Sequence, residues 1–383
     1  MTNGCKSILF YNDAAEFGGH EVMTLEAVRY LSSRRDLKVS FAFYEGNERL
    51  LKRLEDIQNS SGNLALKPLP FRSKNLQAFR SLVTWIKSKR IEALMKRVDP
   101  DVVVISQGRI EGSSMGLLAA KRAGFRTVSY IPMAHPVSVS GKPFALGVRE
   151  KVNGYFYRLP DKFITSSEDA RQMLLARGAT PDVVVVPNGV QVKAIRESER
   201  EGFREAHRIH GCEYVVAVVG RIDFRQKAQD FAVQAIARFR HELADCRFLF
   251  IGSGPDEHQL RTMIANSDLA ERVQVLPWSD NPAEIYAGID MLLIPSKFEG
   301  FPLVMLEAMS CGFPVVASNV DGMAELLPEG WLFPTGNSRA MMDTLLRVKN
   351  SDYAALVESN KDLVLREFSV TGFCMKFSEA VFA

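Results

Sequence analysis

The sequence predicts an α/β protein built from two parallel-sheet domains, and three observations carry that prediction. The chain has 383 residues, 46% of them apolar, too long for one ordinary core and rich enough to bury two. Short β-rich apolar runs alternate with longer amphipathic stretches, the rhythm of strand–helix–strand units. That rhythm breaks once, in the charge-rich residues 191–205, which carry no strand signal and read as a linker.

The elements follow in order. Residues 7–11 read as a strand, then come a loop holding Gly18 and Gly19 and a helix over 21–33. Further strands are expected at 39–44, 101–105, 127–131, 162–165 and 183–186, the last ending at Pro187-Asn188-Gly189. After the linker the pattern restarts with strands at 214–219, 247–251, 273–276, 291–294 and 314–318. Helices are expected between them at 229–242, 257–266, 282–287 and 303–311, and residues 338–383 read as helical throughout. The division is 1–192, 193–365 and a terminal segment 366–383. Two facing Rossmann-like domains place a ligand in a deep cleft at the carboxyl ends of both sheets.

Composition excludes several classes. Net charge is +3, so any basic function must come from local clustering. No uncharged apolar run reaches the roughly 18–20 residues that span a bilayer, and no export signal opens the chain. The expectation is a soluble, cytoplasmic protein. Cys5, Cys212, Cys246, Cys311 and Cys374 are scattered, without a C-x-x-C pair, and read as reduced, mostly buried thiols. His207 and His210 lack a further ligand type and read as surface residues, so no metal is expected. Asp99-Pro100-Asp101 stands at a strand's entrance, the wrong end for a cleft ligand.

The strongest chemical signal is the run from Ser296 to Met309. It follows an apolar strand and opens a helix, with Pro302 suited to the first helical position and Gly312 to the residue past the end. Such a helix start attracts phosphate. Glu299 lies before it and Glu307 about one and a half turns inside, so the two carboxylates reach different parts of one elongated ligand. Taken alone, each is also explicable as an ordinary surface acid.

The run resembles the E-x(7)-E signature of retaining family 4 glycosyltransferases, which have the two-domain GT-B fold. Gly220-Arg221 leading to Lys227 resembles that family's G-R-x(5)-K diphosphate clamp, and Gly252-Ser253-Gly254 its second glycine turn. Asp321-Gly322 with Glu325 is similar to its G-G-x-x-E segment. Gly18-Gly19-His20-Glu21 and Val186-Pro187-Asn188-Gly189-Val190 extend the likeness to the first half. The resemblance implies a metal-independent transferase without cofactor that takes a nucleotide-sugar donor in 193–365 and an acceptor in 1–192. It implies that 366–383 returns as a helix onto the first domain. Arg221 and Lys227 would neutralise the donor diphosphate, helped by Gly18 and Gly19, where a Cβ would collide with it. Gly300, Phe301 and Leu303 would present backbone N–H groups to sugar and phosphate, with Pro302, which has none, in close contact. Glu307 would accept from the ribose hydroxyls. Glu299 would stabilise charge at the anomeric centre, and His135 would face the donor sugar. The sequence departs from the family at three places. Lys227-Ala228 replaces Lys-Gly, Asp321-Gly322 replaces Gly-Gly, and Pro-Met-Ala separates His135 from its strand.

Residues 71–97 hold eight basic residues and one acid, Glu92. Leu76, Phe79, Val83 and Ile86 fall at helical spacing with Trp85 beside them. This segment reads either as a helix packed on the first domain or as a surface helix that meets anionic lipid and a lipid-linked glycan acceptor. Nucleic acid would need more cations interleaved with aromatics. The rival functions are a sugar-nucleotide 2-epimerase, a silent nucleotide-sugar binder and, weakest, an NAD oxidoreductase, for which the third glycine is missing.

Overall fold

A computed structural model describes residues 6–140, 146–179, 182–191, 195–211, 213–279 and 281–383. The chain divides into two compact units, one made of residues 1–188 with 370–383, the other of 189–369.

The first unit is built on seven parallel strands: β1 (Lys6–Asn12), β2 (Leu37–Tyr44), β3 (Leu64–Leu69), β4 (Val102–Ser106), β5 (Arg126–Tyr130), β6 (Lys162–Thr165) and β7 (Val183–Val185), ordered 3-2-1-4-5-6-7. β4 lies between β1 and β5, with Leu9 opposite Val103 and Val103 opposite Thr127. That central place explains its unbroken run of buried residues, since a parallel strand covered on both faces needs apolar side chains on both. β3 was not foreseen. Its sequence, Leu-Ala-Leu-Lys-Pro-Leu, is interrupted by Lys67 and Pro68, and it sits at the sheet edge, where proline removes no ladder bond.

The first unit also contains residues 370–383. The stretch expected to be helical throughout, 338–383, is three helices, Ser338–Lys349, Ala354–Glu367 and Val370–Phe382. The last packs its Phe373, Phe377 and Val381 inward. The Phe377 ring lies 6.5 Å from that of Phe10 and 5.4 Å from that of Tyr130. Arg34 and Arg126 donate to Ser378 Oγ and to the Val381 carbonyl, fixing the helix near its carboxyl end.

The second unit holds β8 (Tyr214–Val219), β9 (Cys246–Ile251), β10 (Val273–Leu276), β11 (Met291–Ile294), β12 (Val315–Ser318) and β13 (Leu332–Phe333), all parallel and ordered 10-9-8-11-12-13. β13 was not foreseen because two residues leave no pattern to see. The expected linker over 191–205 is partly ordered structure of this unit. Residues 192–194 lie outside the described residues, but Glu197–Ala206 is a helix. Its charges are one amphipathic face: Phe203 is buried and occupies the space a side chain at Gly288 would need. Arg200 and Arg204 both reach the Asp290 carboxylate.

The basic segment is two helices, Gln77–Val83 and Trp85–Val98, broken at Thr84. Ile91 and Met95 are buried, whereas Val83, Trp85 and Ile86 are each more than 60% exposed and Phe79 is 49% exposed. Of the residues named by spacing, Phe79, Val83 and Ile86 face outward together with Trp85, and Leu76 is half-buried. The break at Thr84 resets the helical phase, so one 3.6-residue count cannot be carried across it. Asp101, from the Asp-Pro-Asp triplet, accepts from the Ser7 N–H and hydroxyl at the amino edge of β1. Cys246 and Cys374 are buried thiols, both pushed up to about 12 by burial; Cys5 and Cys212 lie outside the described residues. Among the described residues no helix is long and apolar enough to cross a membrane.

Candidate functional site

Strand order sets where a site can form. In the second unit the order reverses between β8 and β11, whose outgoing loops diverge and leave a crevice at the carboxyl edge. Both signatures singled out in the sequence fall there: Gly220 to Ala228 leaves β8, and Pro295 to Pro302 leaves β11.

The β8 loop is shaped by glycines that let backbone touch backbone. A Cβ on Gly252 would overlap the carbonyl oxygen of Gly220, and one on Gly254 would overlap that of Ile222. The close approach is sealed by hydrogen bonds from Gly220 N–H to the Ile251 carbonyl and from Ile222 N–H to the Ser253 carbonyl, both 3.0 Å. The turn expected as a family feature therefore supports the clamp loop from below. Arg221 extends from this loop and pairs with Asp223. Lys227 folds back over Gly220, where an added Cβ would lie 3.8 Å from Nζ.

Lys227 Nζ donates to Glu299 Oε1 at 2.6 Å, with both side chains largely withdrawn from water. This ion pair joins the two loops across the crevice. The Lys297 N–H adds a backbone tie to the Gln226 carbonyl at 2.8 Å, and Lys297 Nζ donates to the Phe224 carbonyl. The following helix spans Leu303–Ser310. Pro302 is its cap, not its first residue as expected, because its ψ of 126° keeps it extended. The first N–H groups of the helix have no carbonyl within it to meet and face the crevice's edge. Gly312 takes the left-handed φ of 83° expected past the end.

Glu307 is half-buried and accepts from the Tyr286 hydroxyl at 2.7 Å. Burial raises its carboxyl above the usual range, and the Tyr286 hydrogen bond offsets this only in part. Tyr286 also donates to the Val304 carbonyl at 3.4 Å, so one hydroxyl orients the carboxylate and marks the turn. The sequence held no sign of this partner, 21 residues upstream.

The first unit carries its own edge site where β1 and β4 meet. Gly18 caps the helix Gly19–Ser32, and a Cβ there would meet only Glu21 Oε2, at 3.5 Å; the fold itself does not demand glycine at that place. Glu21 is fully buried and accepts from Gly18 N–H, Asn12 Nδ2 and His20 Nε2 at 2.7, 3.2 and 2.8 Å. Burial would raise its carboxyl, but His20 and these hydrogen bonds together hold it below its ordinary value. Asp13 is raised by burial despite hydrogen bonds from Ser73, Tyr11 and Ser113. His135 is half-buried in the loop after β5. That loop is pinned on the near side of His135: Ser166 Oγ donates to the Pro132 carbonyl and Arg177 Nε to that of Ala134. The Pro-Met-Ala insertion is thus a held segment. The structure brings Lys227, Glu299 and the Arg221 loop together in one unit, and Gly18, Gly19 and His135 to the carboxyl edge of the other.

Two Rossmann-like domains with parallel sheets and crevices at their switch points define the GT-B class of fold. The structure of Anabaena HepE in complex with UDP and glucose is similar over 98% of this chain and 99% of that one, with TM-score 0.81 and 18% identity. A family model described as Glycosyltransferase Family 4 matches residues 17–194, and one described as Glycosyl transferases group 1 matches 213–351. The chain belongs to this family of glycosyltransferases. Among characterised relatives, it is 28% identical over 170 residues to the N-acetyl-alpha-D-glucosaminyl L-malate synthase of Bacillus anthracis, covering 44% of each chain. It is 35% identical over 185 residues to the D-inositol 3-phosphate glycosyltransferase of Acidothermus cellulolyticus, covering 44% of this chain and 41% of the relative. The match therefore spans less than half the length of these relatives.

Proposed function

We propose that the protein is a retaining glycosyltransferase that moves a sugar from a nucleoside-diphosphate donor to an acceptor hydroxyl. The observation that carries this reading is the Lys227–Glu299 pair at the β8/β11 crevice, set between the Arg221 loop and a helix N-terminus. The cations and helix N–H groups would receive the leaving diphosphate, a task that elsewhere falls to a metal ion. Glu299 would face the sugar as positive charge develops at the anomeric carbon, and Glu307, oriented by Tyr286, would accept from the ribose hydroxyls. In the first unit, His135 and Gly18-Gly19 stand at the carboxyl edge of its own sheet. The family match and the UDP-bound HepE relative support a nucleotide-sugar donor.

The acceptor we propose is a lipid-linked glycan of a surface polysaccharide or glycolipid, met at the membrane surface. What supports this is the exposed apolar strip of Phe79, Val83, Trp85 and Ile86 among the cations of 71–97, whose one acid, Glu92, is buried and paired with Lys89.

The test is nucleoside-diphosphate release from UDP-, GDP-, ADP- and dTDP-sugars, with EDTA present and a membrane lipid extract as acceptor. Release from one donor, reduced at least ~100-fold in Glu299→Gln and Arg221→Ala, supports the proposal. An isomerised donor without release would identify an epimerase, and donor binding without turnover a silent binder. Sedimentation with vesicles rich in anionic lipid tests the surface: binding that survives in a triple Val83→Ser, Trp85→Ser, Ile86→Ser variant removes the membrane part.

A further inference from the structure

Two loop positions at which this chain departs from its family's glycines are both left-handed: Ala228 at φ 52° and Asp321 at φ 49°. Alanine at such a position only carries strain. Asp321 does more. Its Oδ2 accepts from the Glu299 N–H at 2.6 Å, while the next residue, Gly322, donates its N–H to the Gly300 carbonyl at 3.1 Å. The two bonds hold the peptide unit before Glu299 and the one after Gly300, and so fix the backbone from which the Glu299 side chain leaves the loop. Gly322 cannot be replaced in this arrangement, since a Cβ would lie 2.6 Å from the Gly300 oxygen and 2.5 Å from the Phe301 ring.

We infer that Asp321 is a positioning residue that holds Glu299 beside Lys227 and toward the transferred sugar. The inference rests on the donor-site reading above. A glycine at 321 would adopt the same backbone without strain but could not accept the Glu299 N–H. The aspartate therefore exchanges local strain for a charge-assisted hydrogen bond at the loop that carries the sugar-facing acid. It also occupies one backbone N–H, so the anion-facing groups of the segment begin after Glu299, at Gly300.

The experiment compares the wild-type chain with Asp321→Gly and Asp321→Asn. Asparagine tolerates the left-handed region and keeps an acceptor oxygen. Asp321→Gly is expected to melt close to the wild type and bind the free nucleoside diphosphate equally well, because that ligand lacks the sugar Glu299 meets. Its kcat for donor turnover is expected to fall about tenfold, the effect of one charge-assisted hydrogen bond, and Asp321→Asn should recover most of the loss. Wild-type kcat and donor KM in Asp321→Gly would overturn the inference and leave the donor site standing. Equal losses of diphosphate binding and kcat would make Asp321 part of the diphosphate site and also overturn it. Unfolding of the second unit in both variants would reduce Asp321 to a folding residue. A wild-type chain that neither binds a diphosphate nor turns over a donor would instead sink the donor-site reading itself.

Discussion

The loops that leave β1 and β4 in the first unit are held by Asp13 and Glu21, both buried and supplied with hydrogen bonds mainly by neutral groups of the same unit. The loops that leave β8 and β11 in the second unit meet at Glu299, whose partner is the cation Lys227. The strand order around the switch point is the same in both sheets. In the first unit the acids fasten loops to one another; in the second the charges stand in an opposed pair that a ligand bearing both a phosphate and a developing cation can divide. Topology provides the crevice twice, and the chemistry of the partners decides what each crevice does.

This comparison can be broken most severely at the glycine support beneath the clamp loop. Gly252→Ala places a methyl group in the Gly220 carbonyl and forces an alanine to φ 152°. Calorimetry should show the second unit losing about 3 kcal/mol or more and nucleotide binding with it, while the first unit's transition stays in place. Equal melting of wild type and variant would show that the loop does not rest on that contact.

A smaller effect separates the acids by pH. The Glu21 carboxyl is held below its ordinary value, so its stabilisation is present above pH 4.5 and is lost as pH falls through the lower folded value. Glu21→Gln should therefore destabilise the first unit at pH 7 by about 1–3 kcal/mol, with the difference closing at acid pH. The Glu307 carboxyl is raised by burial, so the folded second unit loses stability as pH rises from 4.5 through the higher folded value. Glu307→Gln should raise the second unit's melting point at pH 7, and the gain should vanish toward pH 4. The same pH trend for both variants would refute the contrast. Smallest of all, Ala228→Gly should change stability by less than about 1 kcal/mol, because relief of the left-handed alanine is offset by a more flexible unfolded chain. Melting curves that differ by more than a few degrees would show a further role for Ala228.

How far the sequence discloses this depends on whether a feature is local. Strands with an unbroken apolar run, such as 214–219 and 291–294, were readable to the residue. β3 was hidden by Lys67 and Pro68, and β13 by its length. The charged helix Glu197–Ala206 passed for a linker because its one anchor, Phe203, looks incidental until Gly288 makes room for it. In the candidate site the motif residues could be named, since their spacing is local. Their partners could not: Tyr286 and Asp321 reach Glu307 and Glu299 across 21 and 22 positions, through contacts that exist only after the sheet has formed. Asp321 was visible only as a departure from a glycine, with no sign that its carboxylate would have work to do.

The helix Val370–Phe382 belongs to the first unit although the whole second unit precedes it in the chain. On a ribosome this reverses the usual order, in which an amino-terminal domain folds before the next one is made. When residue 188 is joined, all seven strands of the first sheet exist, yet Phe10 and Tyr130 still lack the aromatic side chains of Phe373 and Phe377. The first unit is completed only after the second has been made, so a nascent chain carries an open aromatic surface until residues 370–382 arrive.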